Sequence, residues 1–441
     1  ITVVLFPQLA APNKMVRATV LASLFASAQA AEWAVLVAGS NTYGNYRHQA
    51  DVCHAYQVVK SQGIPESNII VMAYDDIANN SRNPFPGKLF NKPTAAGEEG
   101  VDVYAGCNID YKSSDVNPQN FMDVLTGTAS GKKLESTSED NVFVFFSDHG
   151  AAGLIAFPTG AGELHKADLQ KTFDTMHSKN MYKKLSFYLE TCESGSMFEG
   201  MSTPGVYALS ASGPSESSWG TYCGSDAMVN GKSIGSCLGD LFSVNWMEDS
   251  DAEDVTSETL QQQADVVVTK TDKSKVMQWG DLSFQTDKVS EFQGDSASLN
   301  ASPSKKGQSV SAREVDLKRV YDNYVKATSA KERLAAGEEM QQVLTEQLEV
   351  EGAFSRFLEI VYPGDSDKHH AMRSGTSPAN HRDCELATRE AFVKHGKFDA
   401  YTGFALQFQR IIVETCAEQA KTGSNHDLVA AAKQACTAVI V

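Results

Sequence analysis

Two short runs constrain this chain more than any other feature: Asn141 to Ser147, reading NVFVFFS, and Leu185 to Glu190, reading LSFYLE. Apolar and aromatic runs of this length, bounded by polar turns, are strands buried in a sheet. Each stops just before a reactive side chain, His149 after the first and Cys192 after the second, and a glycine follows, Gly150 or Gly195. A thiol attacks as thiolate, and an imidazole both lowers its pKa and carries its proton to a leaving amine. Taken singly, each residue has a simpler reading, as a small buried hydrophobe or a hydrogen-bonded polar group. Taken together, with His149 lying 43 positions before Cys192, they match a Cys–His hydrolase. Backbone N–H groups at the glycine turns are then available as an oxyanion hole.

The neighbouring pattern places these runs in one sheet. WAVLVA (33–38) reads as a strand, ADVCHAYQVVKSQG (50–63) as an amphipathic helix and NIIVMAYD (68–75) as a second strand. With VYALSA (206–211), the alternation predicts an α/β domain with a mostly parallel sheet and active residues at the carboxyl ends of its strands. Residues 79–120, with Pro84, Pro86, Pro93 and Pro118, predict a long loop, either a groove wall or surface decoration. Residues 293–313, rich in Ser, Gly and Lys, predict a flexible linker and a domain boundary. Beyond it Phe354, Phe357, Leu358 and Val361, then Phe404, Phe408, Ile411 and Ile412, recur at helical spacing and predict an all-α bundle.

A chain of 441 residues exceeds one ordinary domain. Its net charge of −17 and the lack of a basic cluster argue against nucleic-acid binding. Met15 opens MVRATVLASLFASAQA, ending in Ala28-Gln29-Ala30, the pattern of a cleaved secretory signal. Residues 1–14 then read as an upstream remnant. A soluble mature protein without a membrane span is expected, since no later apolar stretch reaches 18 residues. Asn79 and Asn300 open sequons and are candidate glycan sites. No His/Cys spacing resembles a zinc site, because Cys53-His54 and His369-His370 lack companions, and no metal or other cofactor is expected.

Four segments in order, AGSNTYGNYRHQADVCHAYQ (38–57), DHGAAG (148–153), ETCESGSMF (190–198) and LGDLFSVNWMEDSD (238–251), resemble the legumain family of caspase-like cysteine proteases. The resemblance implies a caspase-like, mostly parallel sheet flanked by helices over residues 31–292, a linker or activation peptide over 293–328 and a helical inhibitory prodomain over 329–441. It implies Cys192 as nucleophile, His149 as general base and acid, Asn45 as the group that orients the imidazole, and the N–H groups of Gly150 and Cys192 as oxyanion hole. The specificity pocket maps onto Arg47, His48, Glu190, Ser217 and Asp240. Arg47 would donate to a substrate Asn carbonyl oxygen and the two carboxylates would accept from its NH₂, while a substrate Asp would be accepted mainly at acidic pH. Partners implied are protein and peptide substrates with Asn at the cleavage site, the chain's own C-terminal region as inhibitor, and cystatin-type inhibitors. Candidate self-cleavage points are Asn323 and Asp322, and the destination is the lysosome, the vacuole or secretion. Two alternatives stand beside hydrolysis: a peptide ligase using the same acyl-enzyme, with Asn245 and Trp246 leaving that balance open, and an inactive binding homologue.

The cysteines follow the same comparison. Cys223 and Cys237 bracket a loop that resembles a disulfide-closed loop of plant legumains, and Cys384 is expected to pair with Cys416. Cys53 and Cys107 are expected as free buried thiols. Gly396 stands where the family commonly has a fourth helical-domain cysteine, leaving Cys436 single. Residues 331–441 carry 12 Lys/Arg against 16 Asp/Glu, a formal −4, and 5 of the 10 His, while the remainder carries −13. Protonating those His would increase attraction between the two parts. Release of the C-terminal part therefore needs loss of specific carboxylate contacts or cleavage, rather than bulk repulsion.

Overall fold

A computed structural model describes residues 30–295 and 306–437. The expected signal peptide, its upstream remnant and Asn300 lie outside the described residues, apart from Ala30. The centre is a six-stranded sheet built from β1 (Glu32–Ala38), β2 (Ile69–Ala73), β3 (Asn141–Ser147), β4 (Lys184–Glu190) and β5 (Val206–Ser210), with an edge strand at Met277–Gly280. The order is edge strand, β5, β4, β3, β1, β2; all pairs are parallel except that between the edge strand and β5. The α/β reading is thus met, and the antiparallel edge strand is an addition that its sequence, MQWG, is too short to announce.

Both faces of the sheet are buried, which explains why its strands read as continuous apolar runs. Leu36, Phe143, Phe145 and Tyr188 face one core together with Trp246; Val37, Val144, Phe146 and Phe187 face the other with Phe121 and Phe173. On the first side lie α1 (Tyr46–Ser61), whose start precedes the expected one, and the helices Leu241–Ala252 and Leu260–Lys270. Trp246 packs edge-on against Phe143, Phe145 and Tyr188. It is therefore core, and Asn245 hydrogen-bonds Thr271 Oγ1 at 3.0 Å.

Two expectations are corrected. Cys53 and Cys107 are joined by a disulfide, so the loop that reaches Cys107 is tied to α1; residues 54 apart in sequence give no spacing signal that could predict this. The segment 293–313 is also not free throughout: residues from 306 onward are placed, and Val310–Ser311 forms a strand against Trp219–Thr221. Its polar composition is satisfied by docking onto another strand's edge. Disulfides Cys223–Cys237 and Cys384–Cys416 are present, and Cys436 is a buried free thiol. A Cβ at Gly396 would lie 2.7 Å from the Phe392 carbonyl oxygen, so this turn is built for glycine.

The C-terminal part is helical, as expected. Helices Val315–Lys326 and Ala330–Val361 lead into a bundle completed by Arg382–His395, Gln409–Thr422 and Leu428–Thr437. Its core contains Phe354, Phe357, Leu358, Val361, Ile411 and Ile412.

One buried group makes stability depend on pH. Burial, aided by the Asp249 carboxylate, pushes the Glu258 carboxyl up to about 8. The folded state then holds a proton that the unfolded chain has released, so the stability this proton contributes is present in acid and lost as pH rises through about 8. Thermal denaturation is expected to show a fall of a few degrees between about pH 5 and 8, levelling off above that. Glu258→Gln should flatten that fall, and an unchanged slope in the variant contradicts the assignment.

Candidate active site

The sheet register builds the site. Ser147 is paired with Glu190, so His149 and Cys192, each two residues further on, leave neighbouring strands at the same level. Their turns touch: a Cβ at Gly150 would fall 2.6 Å from Thr191 Oγ1 and 2.9 Å from the Cys192 carbonyl oxygen. Only glycine permits this approach. The Cys192 thiol is fully buried and lies 3.4 Å from the Ser218 N–H and 3.7 Å from the Ser218 hydroxyl.

The N-terminal turn of α1 and the residues before it supply the other side. Asn45 Nδ2 donates to the Asn41 carbonyl oxygen at 2.9 Å. Because that oxygen can only accept, the amide is oriented with its own Oδ1 toward His149 Nε2, 2.8 Å away. Nε2 must then carry the hydrogen, and in the neutral ring Nδ1 is the basic atom. Nδ1 has no protein partner. Burial, and then the positive charges of Arg47 and Arg313, hold the imidazole well below its ordinary pKa, so the neutral, proton-accepting form persists in mild acid. His48 stacks edge-on against His149 at 5.0 Å and shares a 2.6 Å hydrogen bond with Ser40.

Beside this pair lies a buried polar pocket. Arg47 Nε donates to Asp240 Oδ1 at 2.8 Å, while both Nη atoms lack protein partners. Glu190 Oε2 accepts from the Ser243 N–H and hydroxyl at 3.0 Å, in the first turn of helix Leu241–Ala252, while Oε1 is unpaired. Asp240 Oδ2 also has no hydrogen bond. Burial raises the Glu190 carboxyl well above the carboxylate range, assisted by Asp240; Asp240 is raised by burial against the opposing pull of Arg47. Ser217 is half-buried and precedes Ser218. The pocket thus offers two donors from Arg47 facing acceptors from Glu190 and Asp240, the complement of a carboxamide. Leaving such buried atoms unsatisfied costs about 1–3 kcal/mol each, a cost that a bound amide would remove.

Sequence reasoning passed over several residues here. Asp51 is fully buried, accepts from Asn91 Nδ2 at 2.8 Å and from the Asp240 N–H at 3.2 Å, and so fixes the pocket strand. Its place four residues after Arg47 on one helix face was the available signal. Asp148, His48 and His149 bring ligand atoms within 4.8 Å of one another, a grouping that could hold a cation and that spacing of adjacent Cys and His does not disclose. Ser218 and Glu193 carried no sequence signal beyond adjacency to Ser217 and Cys192.

The C-terminal region covers this site. Ala312 N–H donates to the Ser218 carbonyl oxygen at 3.0 Å, continuing the strand Val310–Ser311 past the thiol. A Cβ at Gly403 would lie 3.2 Å from His149 Nδ1 and 2.8 Å from the Ala312 carbonyl oxygen, so Gly403 stands directly over the basic atom. Arginines fasten the cover to carboxylates: Arg389 to Glu163 at 2.9 Å, buried, Arg382 to Asp168 at 2.8 Å and Arg313 to Glu193 at 3.1 Å. Asp322 and Asn323 lie within helix Val315–Lys326 against the Cys223–Cys237 loop, with Asp322 paired to Lys318. Neither is at the thiol.

Chain comparisons accord with this geometry. A model of the Peptidase C13 family matches residues 32–295. Mouse legumain is 49% identical over 270 residues, covering 59% of this chain and 59% of its own length; the vacuolar-processing enzyme delta-isozyme of Arabidopsis thaliana is 49% identical over 249 residues, covering 55% and 52%. The hemoglobinase of Schistosoma mansoni is 44% identical over 310 residues, covering 68% and 69%. The chain spans about three fifths of the length of the first of these relatives.

The tight fit at Gly403 makes a direct prediction. Gly403→Val should wedge the cover from His149 at a cost of about 1–3 kcal/mol and speed alkylation of the Cys192 thiol by iodoacetamide roughly tenfold, read against Cys192→Ala as blank. Unchanged alkylation contradicts the placement of Gly403.

Proposed function

Because the chain belongs to the peptidase C13 family, we propose that it is a cysteine endopeptidase that cleaves peptide bonds after Asn. The observation that carries the reading is the set of unpaired polar atoms beside the thiol: Arg47 Nη1 and Nη2, Glu190 Oε1 and Asp240 Oδ2. A substrate Asn would accept from Arg47 and donate its NH₂ to the carboxylates. Cys192 would attack the carbonyl carbon as its proton passes to His149 Nδ1. The oxyanion would be met by the N–H groups of Gly150 and Cys192, and the imidazolium would protonate the leaving amine. Water would then hydrolyse the thioester with the imidazole again as base.

In the covered form the enzyme is inactive, since Gly403 and Ala312 stand where substrate must lie. Acid acts on the carboxyls of the cover in both directions: Glu339, held below its ordinary pKa against burial by Arg319 and by Arg82 across the cover, loses that tie as it is protonated, whereas two buried carboxyls oppose opening. Burial raises the carboxyls of Glu193 and Glu385, so each takes up a proton more readily in the covered state and acid favours that state through them. Cleavage at Asn323 or Asp322 detaches the part of the cover that carries Gly403, while Ala312 stays on the chain and is displaced by substrate. Asn323 and Asp322 would require helix Val315–Lys326 to open first, because a protease binds extended backbone. The disulfides fit an oxidising compartment, in keeping with the secretory route read from Met15 to Ala30.

The test is cleavage of fluorogenic peptides ending in Asn, Asp and Gln by protein held at about pH 4–5 until its C-terminal region is lost. Asn peptides should be cleaved and Cys192→Ala should abolish the activity; no cleavage after confirmed loss of the cover sinks the reading. Asn45→Ala should lower kcat roughly ten- to hundredfold by freeing the imidazole. The raised Glu190 and Asp240 carboxyls set a further sign. The pocket gains proton as the assay is made more acidic, so the ratio of Asp to Asn cleavage should rise; a ratio that falls contradicts the assigned pocket.

A further inference from the structure

Glu193, the residue after the nucleophile, has no part in the reaction as described, yet the fold invests in its position. Its backbone is left-handed, φ 53°, a conformation that disfavours side-chain-bearing residues. That turn is pinned by its N–H donating to the Glu216 carbonyl oxygen at 2.8 Å and by its own carbonyl accepting from the Ser196 hydroxyl at 2.6 Å. The carboxylate is buried beneath the cover and pairs with Arg313 Nη2 at 3.1 Å. Burial raises its pKa, opposed by the charges of Arg313 and Arg410 and by the Ala152 backbone. Both of those arginines belong to the C-terminal region, and Ala152 follows the His149–Gly150 turn.

The path of the covering strand shows which part of a peptide meets this carboxylate. Val310 lies opposite Gly220 and Ser311 opposite Trp219, antiparallel, and Ala312 N–H donates to the Ser218 oxygen. The Ser218 N–H in turn lies 3.4 Å from the Cys192 thiol. Ala312 is thus the residue level with the nucleophile, and Arg313 is the next one along, on the side of the oxyanion turn. Ala312 is too small to reach the Arg47 pocket, whose Nη atoms stay unpaired.

We propose that Glu193 is an acidic subsite that selects Lys or Arg as the substrate residue immediately following the cleaved bond. The inference rests on the proposed endopeptidase reading and on an extended substrate following the path of residues 310–313. When the part beyond Asn323 leaves, Arg410 leaves with it, and Arg313, which stays on the chain but loses its hold on the Gly403 carbonyl oxygen, gives way to substrate, so that the carboxylate faces the incoming chain. A basic residue there restores the lost pair, whereas an acidic one meets repulsion beside the thiol.

The experiment uses acid-processed full-length protein and peptides identical except for Arg, Ala or Glu after Asn, assayed near pH 6. The expected ratio of kcat/KM for Arg over Glu is about tenfold, with Ala between, since attraction in one peptide becomes repulsion in the other. Glu193→Gln should bring the ratio to within about twofold, and Glu193→Lys should reverse it. Should neither variant fold, the wild type still decides: the ratio must shrink toward one between low salt and about 1 M NaCl. Asn peptides cleaved with no regard to the following residue, or a preference untouched by Glu193→Gln or by salt, overturn the subsite alone. Failure to cleave any Asn peptide overturns the endopeptidase reading beneath it.

Discussion

The register of β3 against β4 is the constraint on which the site depends. Pairing Ser147 with Glu190 sets two strand ends level, and two residues beyond each end the chain has turned and presents an imidazole and a thiol. A slip by one residue would exchange the faces of the strand, bury the wrong aromatics in each core and separate His149 from Cys192. The alternation of Phe143 and Phe145 toward one core with Val144 and Phe146 toward the other makes such a slip costly. The placing of imidazole beside thiol is therefore held by hydrophobic burial on both faces of the sheet.

The second dependence is on the start of α1. Within seven residues it places Asn45 against the imidazole, Arg47 and His48 in the pocket, and Asp51 beneath the Asp240 backbone. Concentrating these groups on one rigid helix preorganises them. The disulfide between Cys53 and Cys107 ties the same helix to the long Pro-containing loop. The fold carries several unpaired buried polar atoms here, a local cost that a ligand of complementary chemistry would offset.

Much of this was legible in the sequence because it rests on local pattern. The strands at 33–38, 141–147 and 206–211, the helical spacing of Phe354 to Val361, and the reactive residues at strand ends all leave short-range signals. What was not legible depends on contacts between distant residues. The Cys53–Cys107 pair and the strand Val310–Ser311, docked on Trp219–Thr221, have meaning only once the tertiary path is known. Composition misled at 306–313, where Ser, Gly and Lys suit a free linker and equally a strand satisfied by a neighbour's edge. Asp51 and Glu193 were visible as letters, but burial and partners give them their roles.

The central claim is that one thiol is presented to a pocket that recognises a carboxamide. Its most direct test is mass spectrometry of the acid-processed protein after exposure to an electrophilic peptide ending in Asn, beside matched peptides ending in Leu and Gln. The account predicts one adduct, mapped to Cys192, formed much faster with Asn and slowed when Arg47 is replaced by Met. Equal labelling by the Leu peptide, or an adduct on Cys436 in place of Cys192, would contradict it.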